Sequence, residues 1–161
     1  MKRLFLFLLL FAGSLHVAAA QRTIFVVRHA EKMTDRSDAN DPSLSDVGRA
    51  RAEALATALK DVRITAVYAT EFKRTQETAA PSARAAGVEV TVIPGSERAA
   101  LIEKLKSGNG NALVVAHSNT VPEILNGLGI AAQIAIADAD YDNLFVVTLD
   151  GEPRLLRLHY R

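Results

Sequence analysis

The 161-residue chain contains no cysteine. That excludes disulfide staples, thiolate catalysis and a lipid attached through an N-terminal cysteine. Stability has to come from an apolar core, and a content of 49% hydrophobic against 23% charged residues is ordinary for one folded domain. An excess of charge of one sign is also missing. Nineteen Lys and Arg face eighteen Asp and Glu, so no broad cationic footprint for nucleic acid or an anionic membrane is indicated, although a local cationic pocket is compatible with this balance. Internal repeats and low-complexity tracts are absent. A long continuous apolar run is present only at the start, from Leu4 to Ala12, and Gly13, Ser14 and His16 interrupt it before it is long enough to span a bilayer. Lys2-Arg3 precede this run and Ala18-Ala19-Ala20 follow it, the pattern of a secretory signal peptide. Residues 1–20 are therefore expected to be removed, leaving residues 21–161 as an exported periplasmic or extracellular domain without a stable membrane anchor. The alternative is an uncleaved anchor.

The mature segment opens on Thr23-Ile24-Phe25-Val26-Val27, a β-branched and aromatic run suited to a strand buried on both faces of a parallel sheet. Arg28 and His29 follow it immediately. Ligands of open α/β sheets collect beyond the carboxyl ends of strands. An arginine there can fork onto phosphate or carboxylate oxygens, and a neutral imidazole can attack an electrophile or move a proton. The pair points to phosphoryl transfer.

Lys32 to Ser43 is polar, with a turn at Asp41-Pro42, and is predicted to be a loop bordering the strand end. Ser45 is the predicted N-cap of a helix with Asp46 in its first turn and Val47, Leu55, Leu59 and Val62 facing inward. Arg49, Arg51 and Glu53 are expected on its solvated face. Ile64 to Ala69 forms a second strand, followed by a helix start carrying Arg74, which either meets an anion at the helix N-terminus or pairs on the surface with Glu71 or Glu77. That helix is expected to resume or kink at Pro81 and to end at Gly87. Val88 to Ile93 is a third strand. Ser96 is the predicted cap of a helix burying Leu101, Ile102 and Leu105. Ala112 to Ala116 is a fourth strand, ending in His117-Ser118-Asn119-Thr120 with a short helix after it. Asp138, Asp140 and Asp142 lack the glycine and closing glutamate of a calcium loop and are expected to be solvated. Leu144 to Leu149, Asp150-Gly151 and the alternation of Leu156, Leu158 and Tyr160 predict a terminal hairpin, with His159 exposed.

Arg28-His29, Arg74 and His117 thus converge on one rim of one sheet. With Arg28-His29-Ala30-Glu31, Leu44-Ser45-Asp46-Val47-Gly48-Arg49-Ala50, Tyr68 to Thr78 and Ala116-His117-Ser118, the sequence resembles the histidine phosphatase superfamily, the phosphoglycerate mutase-like fold, over nearly all of residues 21–161. The resemblance implies a three-layer α/β/α sandwich with a mostly parallel central sheet. It implies that His29 becomes a phosphohistidine, and that Arg28, Arg74, His117 and the neighbouring Ser118 hold the phosphoryl oxygens. No metal and no cofactor are expected, since guanidinium and imidazole groups can supply the charge stabilisation. The substrate would be a small-molecule or protein-borne phosphoryl compound. Ala30 stands where many members have glycine. The acidic proton donor of many members has no clear counterpart; Glu97 and Glu31 are the candidates. Other possibilities are a phosphate- or anion-binding protein on the same fold and a phosphomutase.

Overall fold

The computed structural model describes residues 22–34 and 40–161, so the expected signal peptide at residues 1–20 lies outside the described residues. Among those described, no helix is long and apolar enough to cross a membrane. Six strands form one sheet: β1 (Thr23–Arg28), β2 (Ile64–Ala69), β3 (Val90–Val92), β4 (Asn111–Ala116), β5 (Asn143–Thr148) and β6 (Arg154–His159), in the order β3-β2-β4-β1-β5-β6. The first four are parallel, and β5 and β6 close one side antiparallel. Four helices connect them: α1 (Asp46–Ala58), α2 (Lys73–Ala86), α3 (Arg98–Ser107) and α4 (Thr120–Gly127). The fold is the expected α/β/α sandwich, and the period-two geometry of β1 explains its layers. Ile24 and Val26 pack on one face with Leu101, Leu105, Ile124 and Leu125, whereas Phe25 and Val27 pack on the other with Leu55, Leu59, Ala79 and Ala83. Because β1 and β4 are buried on both sides, their sequences are continuous apolar runs rather than alternations.

Register brings the three functional strand ends together. Arg28 lies opposite Ala116, Ala69 lies opposite Val115, and the His29 amide donates to the Ala116 carbonyl at 2.9 Å. Residues 29, 70 and 117 therefore leave adjacent strands at nearly one level.

Several local expectations are corrected. Val47 is not part of the inward stripe of α1; it is 61% exposed, because the helix docks through Gly48, Ala52 and Leu55. Arg51 is half-buried rather than solvated and holds Glu31. Ser96 does not cap α3: residues 95–97 form a 3-10 turn and Glu97 occupies the cap position without a side-chain bond. Helix α2 runs through Pro81 as one element, and ends at Gly87 in the left-handed conformation that glycine adopts without strain. Leu156 and Leu158 remain largely exposed on the outer strand β6, and Tyr160 alone of the alternating set is buried. Ser45 does cap α1, its hydroxyl accepting from Gly48 N at 3.1 Å.

Candidate active site

His29 follows β1 and is buried, with its Nδ1 at 2.8 Å from the Ala30 carbonyl. A carbonyl can only accept, so Nδ1 carries the hydrogen and Nε2 keeps its lone pair. The Ala30 amide is anchored in turn by Thr78 Oγ1 at 2.9 Å, which ties the segment after β1 to α2. His117 follows β4. Its ring stands edge-on to that of His29 with centroids 5.3 Å apart, and Phe72 packs against it at 5.3 Å.

Burial lowers the pKa of His29 to about 4. The hydrogen bond to Ala30 opposes the shift, while the charges of His117, Arg74 and Arg28 add to it. His117 is likewise lowered to about 4, by desolvation first and then by Arg74 and Arg28, with Glu71 acting in the opposite sense. Both rings are neutral at pH 7. A buried and a half-buried imidazole, both lacking charge, beside two guanidiniums form a cationic pocket whose histidines can act as nucleophile and donor.

Arg28 is buried and held by a segment far away in sequence. Its Nη1 donates to the carbonyls of Ala137 and Asp138 at 3.0 Å each, with Asp140 O at 3.4 Å, and the guanidinium lies 4.1 Å from the Tyr141 ring centre. Its Nε is buried with no partner. An unsatisfied charged donor is costly inside a protein, and a phosphoryl oxygen is the kind of acceptor that would relieve it. Arg74, at the start of α2, stacks over Phe72 at 4.3 Å and faces Asp41 at 3.9 Å rather than Glu71 or Glu77. Asp41 also accepts from the Lys73 amide at 2.9 Å, so the loop before α1 borders the site as expected.

Ser118, adjacent to His117, is half-buried, and its hydroxyl makes no hydrogen bond within the described residues. The two proposed acids fare differently. Glu31 is gripped by Arg51 through contacts of 2.6 to 2.9 Å; burial would raise its pKa, but those hydrogen bonds and the Arg51 charge hold it below the usual carboxylate range. A carboxylate so bound is a poor proton donor. Glu97 is exposed and its side chain touches none of the four cationic or imidazole groups. Glu71 is instead the carboxylate whose charge reaches both His117 and Arg74, with Oε2 accepting from Gly95 N at 2.8 Å.

Tyr141, Thr70 and Thr75 also lie at this site; Thr70 and Thr75 fall within the Tyr68 to Thr78 segment, but no sequence pattern assigned any of the three a role. Thr70 Oγ1 lies 3.0 Å from His117 Nε2 and 2.9 Å from Thr75 Oγ1. Tyr141 sits 6.3 Å from the His29 ring. Among the described residues, no group of three or more His, Asp or Glu side chains is arranged to hold a metal ion.

Residues 24–97 match the family model of the histidine phosphatase superfamily, branch 1. That span contains Arg28, His29 and Arg74; His117 lies beyond it, placed beside them by the pairing of β1 with β4. The protein histidine phosphatase SixA, solved with tungstate, superposes with a TM-score of 0.70 at 20% identity, covering 85% of this chain and 96% of its own. A mycobacterial glucosyl-3-phosphoglycerate phosphatase superposes with a TM-score of 0.64 at 15% identity, covering 84% and 97%. No curated protein sequence matches the chain at a significant level. The structural likenesses establish the fold, and with the family match they support a phosphatase.

Proposed function

We propose that the chain is an exported, metal-independent phosphatase that works through a phosphohistidine on His29. The observation that carries this reading is the bond from His29 Nδ1 to the Ala30 carbonyl, which leaves Nε2 as a neutral nucleophile beside three donors. In the first step the Nε2 lone pair forms a bond to phosphorus as the bond to the leaving group breaks. The leaving group departs with that electron pair and takes a proton from solvent. In the second step water attacks the phosphohistidine, the P–N bond breaks back onto Nε2, and the water proton is released. Arg28, Arg74 and His117 bind the equatorial oxygens through both steps. Such transfer needs in-line positioning and charge stabilisation more than further covalent chemistry.

The carboxylates point to a substrate class. Glu31 is committed to Arg51, Glu71 accepts from the Gly95 amide, and Glu97 makes no hydrogen bond to the site, so a poor alkoxide leaving group would find little help. Phosphoramidates, including phosphohistidine on a protein, and other substrates with easily protonated or stable leaving groups fit this arrangement. A pure anion-binding protein would have no need of a neutral imidazole aimed at the bound group. A mutase would need its acceptor held beside the phosphohistidine. Purified protein lacking residues 1–20 should hydrolyse phosphoramidate and aryl phosphate with chelator present, and alkyl phosphates at least about a hundredfold more slowly. Activity abolished by chelator would overturn the metal-free mechanism, and tight phosphate binding without turnover on all three classes would favour the binding protein. Localisation is tested by fractionating cells that express the full chain: retention of residues 1–20 on a cytoplasmic product would refute export.

A further inference from the structure

The hydroxyl chain behind His117 fixes more than its orientation, and its hydrogens can be counted. Thr75 Oγ1 donates toward the Phe72 carbonyl at 2.7 Å and the Thr70 carbonyl at 3.1 Å. Thr75 has a single hydroxyl hydrogen, and its shortest contact, the 2.7 Å one to the Phe72 carbonyl, is the best place for it. The 2.9 Å contact between the two threonine hydroxyls must then use the Thr70 hydrogen. Thr70 Oγ1 has only lone pairs left for His117 Nε2, at 3.0 Å. The hydrogen of that bond therefore belongs to His117. With the Thr75 hydrogen on the Phe72 carbonyl, the two histidines would hold opposite tautomers: Nδ1–H on His29, which donates to Ala30 O, and Nε2–H on His117, which donates to Thr70.

A neutral imidazole has one N–H, and that of His117 is already committed. We propose that the Thr70–Thr75 hydroxyl pair positions His117 as the Nε2–H tautomer, so that seating a phosphoryl group or similar oxyanion brings one proton onto His117 Nδ1. The ring then donates from both nitrogens, one to Thr70 and one to the anion. Groups that act on its charge from the surrounding elements are Arg28 at the end of β1 and Arg74 and Glu71 around the start of α2, and the His29 ring faces it at 5.3 Å. On the α4 side Thr120 Oγ1 binds the His117 backbone amide at 3.0 Å, and Glu123 is turned away into an ion pair with Arg98. In the free protein burial first, and the nearby cations after it, keep the ring neutral; a bound dianion reverses the field of those cations. Thr70 is thus a positioning residue, and the inference rests on the phosphatase reading only for its kinetic part.

Three measurements test it. Nitrogen-15 imidazole spectra of the free protein should show His117 as Nε2–H and His29 as Nδ1–H; the Nδ1–H form at His117 would overturn the positioning role outright. Calorimetric titration with tungstate at pH 8, where tungstate is itself a stable dianion, in buffers of different ionisation enthalpy should report about one proton taken up per anion bound. Zero uptake would show that the Nε2–H simply turns from Thr70 to the anion, and would refute the coupling. Thr70→Val should reduce this uptake and lower kcat roughly five- to tenfold, the worth of one neutral hydrogen bond, while Thr70→Ser should restore both. Equal behaviour of the two variants would refute the role of the hydroxyl. Failure to bind tungstate would remove the phosphatase reading and the uptake with it, while the spectra of the free protein decide the tautomer independently.

Discussion

At the scale of single residues, His29 and His117 share a chemistry and differ in what their second nitrogen touches. The Ala30 carbonyl leaves His29 with an unshared pair at Nε2, and Thr70 leaves His117 with a committed donor there. His29→Ala should abolish turnover and phosphoenzyme formation together. His117→Ala should slow both steps yet still permit trapping of phosphate on His29, detected as acid-labile phosphate by mass spectrometry. Wild-type turnover in His29→Ala would end the assignment. Glu71 offers a separate check, since its charge is what raises the His117 pKa against burial and two arginines. Glu71→Gln should move the His117 titration, followed by NMR, further down; an upward movement would show that Glu71 does not act on the ring. That Arg28, His29, Arg74 and His117 come together was legible in the sequence because each ends or directly follows a strand, or opens a helix. Thr70, Tyr141 and Arg51 were not. Their roles depend on partners 47, 113 and 20 positions away, and no local pattern encodes such contacts.

At the scale of elements, the segment that carries His29 is held from two sides by helices whose own starts are fixed by small polar contacts. Ser45 N donates to the Glu31 carbonyl at 2.9 Å, and Ser45 Oγ donates to the same oxygen at 3.2 Å while capping α1. Gly48 completes this joint because a Cβ there would lie 2.0 Å from that carbonyl. Gly48→Ala must push α1 away from the segment that carries His29, a small-to-large change costing about 1–3 kcal/mol. The expected result is a Tm lowered by several degrees together with reduced kcat; an unchanged Tm and kcat would show that the joint yields freely. The sequence identified the cap at Ser45 but placed Val47 inward, because an apolar residue in the first turn satisfies a helical stripe whether or not the helix docks through its glycine. The segment before β5 was the larger surprise. Spaced aspartates looked like a solvated loop, whereas the backbone carbonyls of that loop grip Arg28, and carbonyls are the same in every sequence.

On the scale of the whole molecule, the parallel order of β2, β4 and β1 creates the site, and the same burial that makes its histidines useful makes them a liability in acid. The layer architecture was readable because doubly buried strands are continuous apolar runs, while the exposure of β6 could not be told from an alternation that also fits a half-buried strand. The stability consequence follows from His29. Its folded pKa of about 4 lies below the ordinary value of 6.5, so between those values the unfolded chain binds a proton that the folded chain refuses. The stability associated with a neutral His29 is therefore present above about pH 6.5 and is lost as pH falls toward 4. By linkage the loss between pH 7.5 and pH 5 is roughly 1–2 kcal/mol for His29, and His117 shifts in the same direction. His29→Gln keeps a polar side chain without a titrating ring. Its urea-unfolding free energy should improve relative to wild type by about that amount when both are moved from pH 7.5 to pH 5, even if the variant is the less stable protein at pH 7.5. Parallel pH dependences in the two proteins would mean that His29 already carries a normal pKa, and the neutral nucleophile at the head of the proposed mechanism would then hold only above about pH 6.5.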